Sequence, residues 1–219
     1  MRIRECGDSM LLVEFESAID PIVNERVIAL AARLRDRRAR GIRDVAPGYC
    51  TVGVHFDPLQ TDLGALEQAI ADEAEVLGAL ENLPPRTPIE IGVSYGGEAG
   101  PDLDAVAGHA GCTPADVIER HAARTYRVYM LGFVPGFAYM GRVDTSIAAP
   151  RHRVPRERVP AGSVGIAGEQ TGVYPVASPG GWQLIGRTSS VMFDPARTRP
   201  SLLAPGDLVR FVPLTGHQP

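Results

Sequence analysis

Ser163-Val164-Gly165-Ile166, with Trp182-Gln183-Leu184-Ile185 and Leu208-Val209-Arg210-Phe211-Val212 further along, decides the fold class of the C-terminal half. Each run is short and rich in residues that suit a pleated surface, and glycine or proline punctuates the chain between them. That pattern favours a small β-barrel. Pro205-Gly206-Asp207 sets a turn into the last run, and no internal repeat or low-complexity tract interrupts the series.

The barrel-like character begins at Tyr126. Before it, helical patterns cover Leu103 to His109 and Pro114 to Ala123, the second opened by Thr113-Pro114 in cap and first-turn positions. Further upstream the order reads β-α-β-β-α. A strand at Met10 to Phe15 leads to a helix opened by Asp20-Pro21, whose stripe Val23, Val27, Leu30 and Leu34 faces a core before Gly41 ends it. Its basic end, Arg35, Arg37, Arg38 and Arg40, suits the helix dipole. Strands at Ile42 to Ala46 and Tyr49 to Phe56 flank the Pro47-Gly48 turn, and a helix from about Thr61 to Leu77 buries Leu63, Leu66, Ile70 and Leu77. Leu83 to Pro88 reads as a linker. The strand Ile89 to Tyr95 either completes a ferredoxin-like split β-α-β unit or opens the next domain. The expected fold class is α+β, with a small ferredoxin-like α/β sandwich over residues 1–84 and a β-barrel domain over residues 85–215.

Composition narrows the function. The 219 residues are 44% hydrophobic, with a net charge of -4 and a pI near 5.7, which disfavours nonspecific binding to nucleic acid. Cys6, Cys50 and Cys112 are few, odd in number and widely spaced, so neither a disulfide framework nor a metal site is expected. The N-terminus lacks a signal-peptide core, and no stretch approaches the roughly 20 apolar residues needed to span a bilayer. A cytoplasmic protein that does not engage a membrane is expected.

Three glycine- and proline-rich segments are candidates for chemistry: Leu131 to Tyr139, Val159 to Ser163 and Ser178 to Trp182. Such loops either expose backbone N–H groups to an anion or carbonyl beside aromatic walls, or simply turn barrel corners. Arg151, His152, Arg153, Arg156 and Arg158 crowd together between stiffening prolines, and Arg187 follows Trp182. Guanidinium groups in this density either clamp a carboxylate or phosphate or form surface ion pairs. His121, at the end of a helix that leads toward the Phe133 to Tyr139 loop, is placed for acid–base work or for a structural role. Ser163 lacks the surroundings of a nucleophile elbow, and no Walker A sequence occurs.

These segments, with Tyr95-Gly96-Gly97-Glu98, Gly100-Pro101-Asp102-Leu103, Gln170 to Pro175, Gly186-Arg187-Thr188 and Pro205-Gly206-Asp207, resemble the family that includes the B component of 5-oxoprolinase, the kinase inhibitor KipI and allophanate hydrolase subunit 1. The resemblance implies a cyclophilin-like barrel behind a small α+β domain. It implies a hetero-oligomer with a larger, KipA-like C component, and a third component, acting together on 5-oxoproline with ATP, with Mg2+ expected alongside the nucleotide. Histidine-kinase inhibition and a carboxyltransferase role in urea or allophanate metabolism are its alternatives. On this reading Arg151, Arg156 and Arg187 hold carboxylate or phosphate, N–H groups near Gly180 and Gly181 stabilise negative charge, and His121 or Tyr126 moves a proton. Phe133, Phe137 and Trp182 wall off water. Pro135, Gly136, Tyr139, Ser163, Gln170 and Tyr174 are expected on the substrate.

Overall fold

The computed structural model describes residues 1–37, 39–77, 82 and 84–214, and the chain divides into two compact units, Met1–Pro85 and Arg86–Pro219.

In the first unit, β1 (Arg2–Glu5), β2 (Met10–Glu14), α1 (Pro21–Arg37), β3 (Ile42–Pro47), β4 (Thr51–Phe56) and α2 (Leu63–Leu77) follow in order. The strands form an antiparallel sheet in the order β1-β2-β4-β3. Asp20 caps α1, its Oδ1 accepting from the N–H groups of Ile22 and Val23 at 2.8 and 3.0 Å. Alternation then does the rest. Leu11 and Val13 of β2 and Val52 and Val54 of β4 face Val27, Leu30 and Leu34 of α1 and Leu66 and Ile70 of α2 in one buried core. Within the basic helix end, Arg35 donates to the Val45 carbonyl and Arg37 pairs with Glu73, so these cations fasten α1 to its surroundings; Arg38 lies outside the described residues.

In the second unit, β5 (Ile89–Tyr95), α3 (Leu103–Ala110), α4 (Pro114–Ala122), β6 (Thr125–Leu131), β7 (Ala138–Gly141), a 3-10 turn (Thr145–Ile147), β8 (Arg156–Val159), β9 (Ser163–Ala167), β10 (Gln170–Val173), β11 (Ser178–Gly180), β12 (Gln183–Arg187) and β13 (Leu208–Pro213) follow. Seven of them close a barrel in the order β10-β7-β6-β13-β5-β12-β9, parallel only between β5 and β13. The closed barrel fits the cyclophilin-like expectation. β8 and β11 pair as a separate two-stranded ribbon.

The strand at Ile89–Tyr95 does not complete a ferredoxin-like split unit. Both of its edges are taken by β12 and β13, and Ile91 and Val93 are buried in the barrel core, so it opens the second unit. The place beside β2 goes instead to β1, which sequence reasoning missed. Only Ile3 of Arg2-Ile3-Arg4-Glu5 packs against the core, so the strand carries too little alternation to be seen.

Along the barrel strands, alternate residues divide between two environments. Val164 and Ile166 of β9 and Val173 of β10 point inward with Val128, Met140 and Phe211. Ala167 and Leu184 instead join Phe137, Val159, Tyr174 and Trp182 in a second, outer cluster. That outer cluster is where the site forms.

Candidate functional site

The site begins with two missing side chains. Gly165 of β9 and Gly172 of β10 stand directly opposite one another across the strand pair. A Cβ at Gly172 would lie 2.9 Å from the Ala138 carbonyl oxygen and 3.2 Å from the Phe137 ring, and one at Gly165 would lie 3.1 Å from the Trp182 Cβ. Bare backbone therefore lets the two rings settle against the barrel wall. Phe137 sits at the centre of the cluster, edge-on to Trp182 at 5.4 Å, to Tyr174 at 5.2 Å and to Tyr139 at 4.8 Å between ring centroids. Phe133 closes the rim. It has φ +69° and is 60% exposed, an aromatic held in the left-handed region with its ring in reach of solvent.

These rings floor a cavity of about 450 Å³, within the range of small-molecule sites. Of the residues expected on a substrate, Phe133, Phe137, Tyr139, Arg151, Gln170, Tyr174, Gly180 and Trp182 line it. Pro155, Ala167, Gly168 and Pro179 complete the lining. The Arg151 guanidinium lies beside Gly181, whose Cβ position is 3.7 Å from its Nε and Nη2 atoms. Among the described residues Arg151 has no ion-pair partner. Burial raises the phenol pKa of Tyr139 and Tyr174 despite the opposing pull of Arg151, so both hydroxyls keep their protons at neutral pH.

The loop bearing Arg151 is held by a carboxylate that sequence reasoning did not place in the site. Asp102, 6% exposed, accepts from Arg156 Nη2 through Oδ1 at 2.6 Å and from the Leu184 N–H through Oδ2 at 2.6 Å, with His152 Nε2 3.3 Å from Oδ2. Burial alone would raise its pKa, but Arg156, the Leu184 N–H and His152 together hold the carboxyl below its ordinary value. The loop is also tied by backbone: the His152 N–H donates to the Gly181 carbonyl at 2.7 Å, and Gln183 Nε2 donates to the Pro150 carbonyl at 2.8 Å. The signal for Asp102 was its position in Gly100-Pro101-Asp102-Leu103; its partners come from loops far away in sequence.

Several expectations are corrected. His121 does not face the cavity. It is 0% exposed in the barrel unit, stacked on Phe211 at 4.7 Å, and burial pushes its imidazole down to about 3. Tyr95 OH donates to its Nδ1 at 2.8 Å, and the Thr171 hydroxyl, which donates to the Gly165 carbonyl, receives its Nε2–H at 2.9 Å. The hydroxyl's single proton is thus engaged, which assigns the Nε2–H tautomer. Tyr126 OH donates to the His121 carbonyl at 2.8 Å, and burial raises its pKa as well. A neutral, fully bonded pair without solvent access has no proton to exchange with substrate, so the acid–base roles of both residues are withdrawn.

Arg156 is engaged by Asp102 and does not line the cavity. Gly181 is buried beside Arg151 and is likewise absent from the lining. Ser163, 1% exposed, and Arg187 stand opposite one another on β9 and β12, also outside it. Pro135 and Gly136 line a neighbouring, more open hollow of about 410 Å³ that shares Phe133 with the first. Among the described residues no cluster of three or more His, Cys, Asp or Glu side chains is placed to hold a metal ion, and no helix is long and apolar enough to cross a membrane.

The closed barrel thus carries an aromatic, arginine-bearing cavity on its outer wall. The chain belongs to the carboxyltransferase domain family, subdomains C and D, which it matches over residues 1–203. It is 46% identical to the B component of 5-oxoprolinase from Escherichia coli O157:H7, over 94% of this chain and 93% of that protein. It is 40% identical to the protein of the same name from Bacillus subtilis, over 96% of this chain and 92% of that protein. The crystal structure of TTHA0988 superposes with a TM-score of 0.83 at 37% identity; the match covers 96% of this chain but only 40% of that longer one.

Proposed function

We propose that this chain is the B component of a 5-oxoprolinase complex, which hydrolyses 5-oxoproline to glutamate with ATP in concert with a KipA-like C component and a third component. Near full-length similarity to proteins of that name supports the reading. The observation that carries it to the site is Arg151, a guanidinium without an ion-pair partner among the described residues, at the rim of an aromatic cavity of about 450 Å³. 5-Oxoproline is a small lactam ring bearing one carboxylate. Its ring faces suit Phe137, Tyr174 and Trp182, its carboxylate suits a planar guanidinium, and Gln170 and Tyr139 bring polar atoms to the lactam amide.

The residues around the cavity do not fit Mg·ATP. A triphosphate calls for several cations or a cradle of N–H groups, with acidic side chains for the metal, and this cavity presents one arginine and no acidic side chain. In the proposed complex the nucleotide is therefore used elsewhere. This chain contributes the exclusion of water by its aromatic floor and the orientation of the substrate's carboxylate.

The test is reconstitution. Purified with the C component and the third component, the chain is expected to support glutamate formation that requires both 5-oxoproline and ATP and that stops when this chain is omitted. Turnover at the same rate without it would overturn the proposal.

A further inference from the structure

The loop between Pro150 and Val159 carries Arg151, His152, Arg153, Arg156 and Arg158, yet it offers the cavity only one of these cations. Arg153 and Arg158 are exposed and absent from the lining. Arg156 and His152 both turn to the buried carboxylate of Asp102. They follow Arg151 closely in the chain, so their contacts with Asp102 add to the bonds from the His152 N–H to the Gly181 carbonyl and from Gln183 Nε2 to the Pro150 carbonyl that hold the segment bearing Arg151. The carboxylate is in turn anchored to β12 by the Leu184 N–H, and the Asp102 N–H donates to the Leu184 carbonyl at 2.9 Å. These links connect a charge outside the cavity to the segment that carries Arg151.

We propose that Asp102 is a positioning residue that, through Arg156 and His152, presents Arg151 as the single cation of the cavity and so makes it a receptor for a monocarboxylate on a small ring. The inference rests on the proposed function for the identity of that carboxylate, 5-oxoproline. One guanidinium matches one carboxylate in charge and in its paired donors. The sequence contains no lysine, so every side-chain cation except histidine has that planar geometry. Without Asp102, Arg156 would lose its acceptor and His152 its neighbouring carboxylate, and the loop would keep only the bonds from the His152 N–H and Gln183 Nε2, so that Arg151 would be less well pre-oriented.

The experiment measures both turnover by the reconstituted complex and calorimetric binding to the full chain, using 5-oxoproline, its neutral carboxamide and ATP as probes. The wild-type chain should prefer 5-oxoproline to the carboxamide by about tenfold or more. Asp102→Asn should remove most of that preference and raise KM about tenfold, with kcat changed far less, because a ground-state orienting contact is lost rather than a chemical group. Should Asp102→Asn not fold, Arg156→Gln breaks the same contact from its half-exposed side and should shift KM in the same direction, while Arg156→Lys, which keeps a cation for Asp102, should recover part of the loss. Folded Asp102→Asn and Arg156→Gln proteins with wild-type KM and wild-type carboxylate preference would overturn the inference, as would displacement of 5-oxoproline from the isolated chain by lower concentrations of ATP. If the complex makes no glutamate yet the chain binds 5-oxoproline with the expected preference, the reaction fails and the receptor stands. If neither turnover nor binding is seen, both fall.

Discussion

The barrel interior around His121 and the outer wall around Arg151 are built from the same materials, aromatic rings with a few hydrogen-bonding groups, and they differ in whether a charged group faces an open cavity. Inside, each ring nitrogen of His121 has a protein partner, Tyr126 OH bonds the His121 carbonyl, and burial keeps the imidazole neutral. Outside, Arg151 lies at a cavity without an ion-pair partner among the described residues, beside tyrosines that keep their protons. A saturated buried network specifies packing; a charge without an ion-pair partner beside an open apolar cavity is available to a ligand.

The largest effect should come from attacking the interior. His121→Ala removes a fully buried ring and strands the Tyr95 hydroxyl, at an expected cost of about 3–5 kcal/mol in urea unfolding. Protein that remains folded should keep its KM. If the variant instead melted like wild type but lost all turnover, the division between the two regions would collapse. On the outer wall, Arg151→Ala should leave the melting temperature close to wild type and weaken 5-oxoproline binding by about 10- to 100-fold, equivalent to the loss of a charged hydrogen-bonded contact. Equal affinity by calorimetry would remove Arg151 from the site.

Gly172→Ala tests the junction of the regions. Its methyl would press on Ala138 and Phe137, so overpacking should cost about 1–3 kcal/mol and shrink the cavity, visible together as a lower melting temperature and weaker ligand binding. The pH response sharpens the interior further. The folded value of His121, about 3, lies below its unfolded value near 6.5, so its contribution to stability is complete above that upper value and declines as pH falls toward the lower one. The limiting slope is about 1.4 kcal/mol per pH unit, and urea midpoints across this window should lose that component in a His121→Gln variant. The smallest effect belongs to Phe133→Gly. Relief of the left-handed backbone, worth about 1 kcal/mol, should offset the loss of modest ring packing, leaving stability nearly unchanged while ligand affinity falls by a few fold.

Much of the cavity was legible because its residues cluster in glycine- and aromatic-rich runs whose chemistry is local. Phe133, Phe137, Tyr139, Gly180 and Trp182 come from two such segments, and Arg151 from the basic loop. The errors share a different cause. His121, Tyr126, Ser163 and Arg187 are residue types that serve either in a site or in a wall, and the choice depends on which way a strand or helix turns them. Arg156 looked like a free clamp because its partner, Asp102, lies far away in the chain.

By itself the sequence determined the four α-helices, the strands at Met10 to Phe15, Ile42 to Ala46 and Tyr49 to Phe56, the change to short punctuated strands after Tyr126, and the residue chemistry available to a carboxylate, all of which are set by periodicity, turn propensity and side-chain type. Only the tertiary structure decided that Ile89–Tyr95 belongs to the barrel, that His121 is sealed inside it, and that Asp102 engages Arg156 and leaves Arg151 to face the cavity. Those outcomes depend on strand register and on contacts between distant segments, which exist only once the barrel has closed.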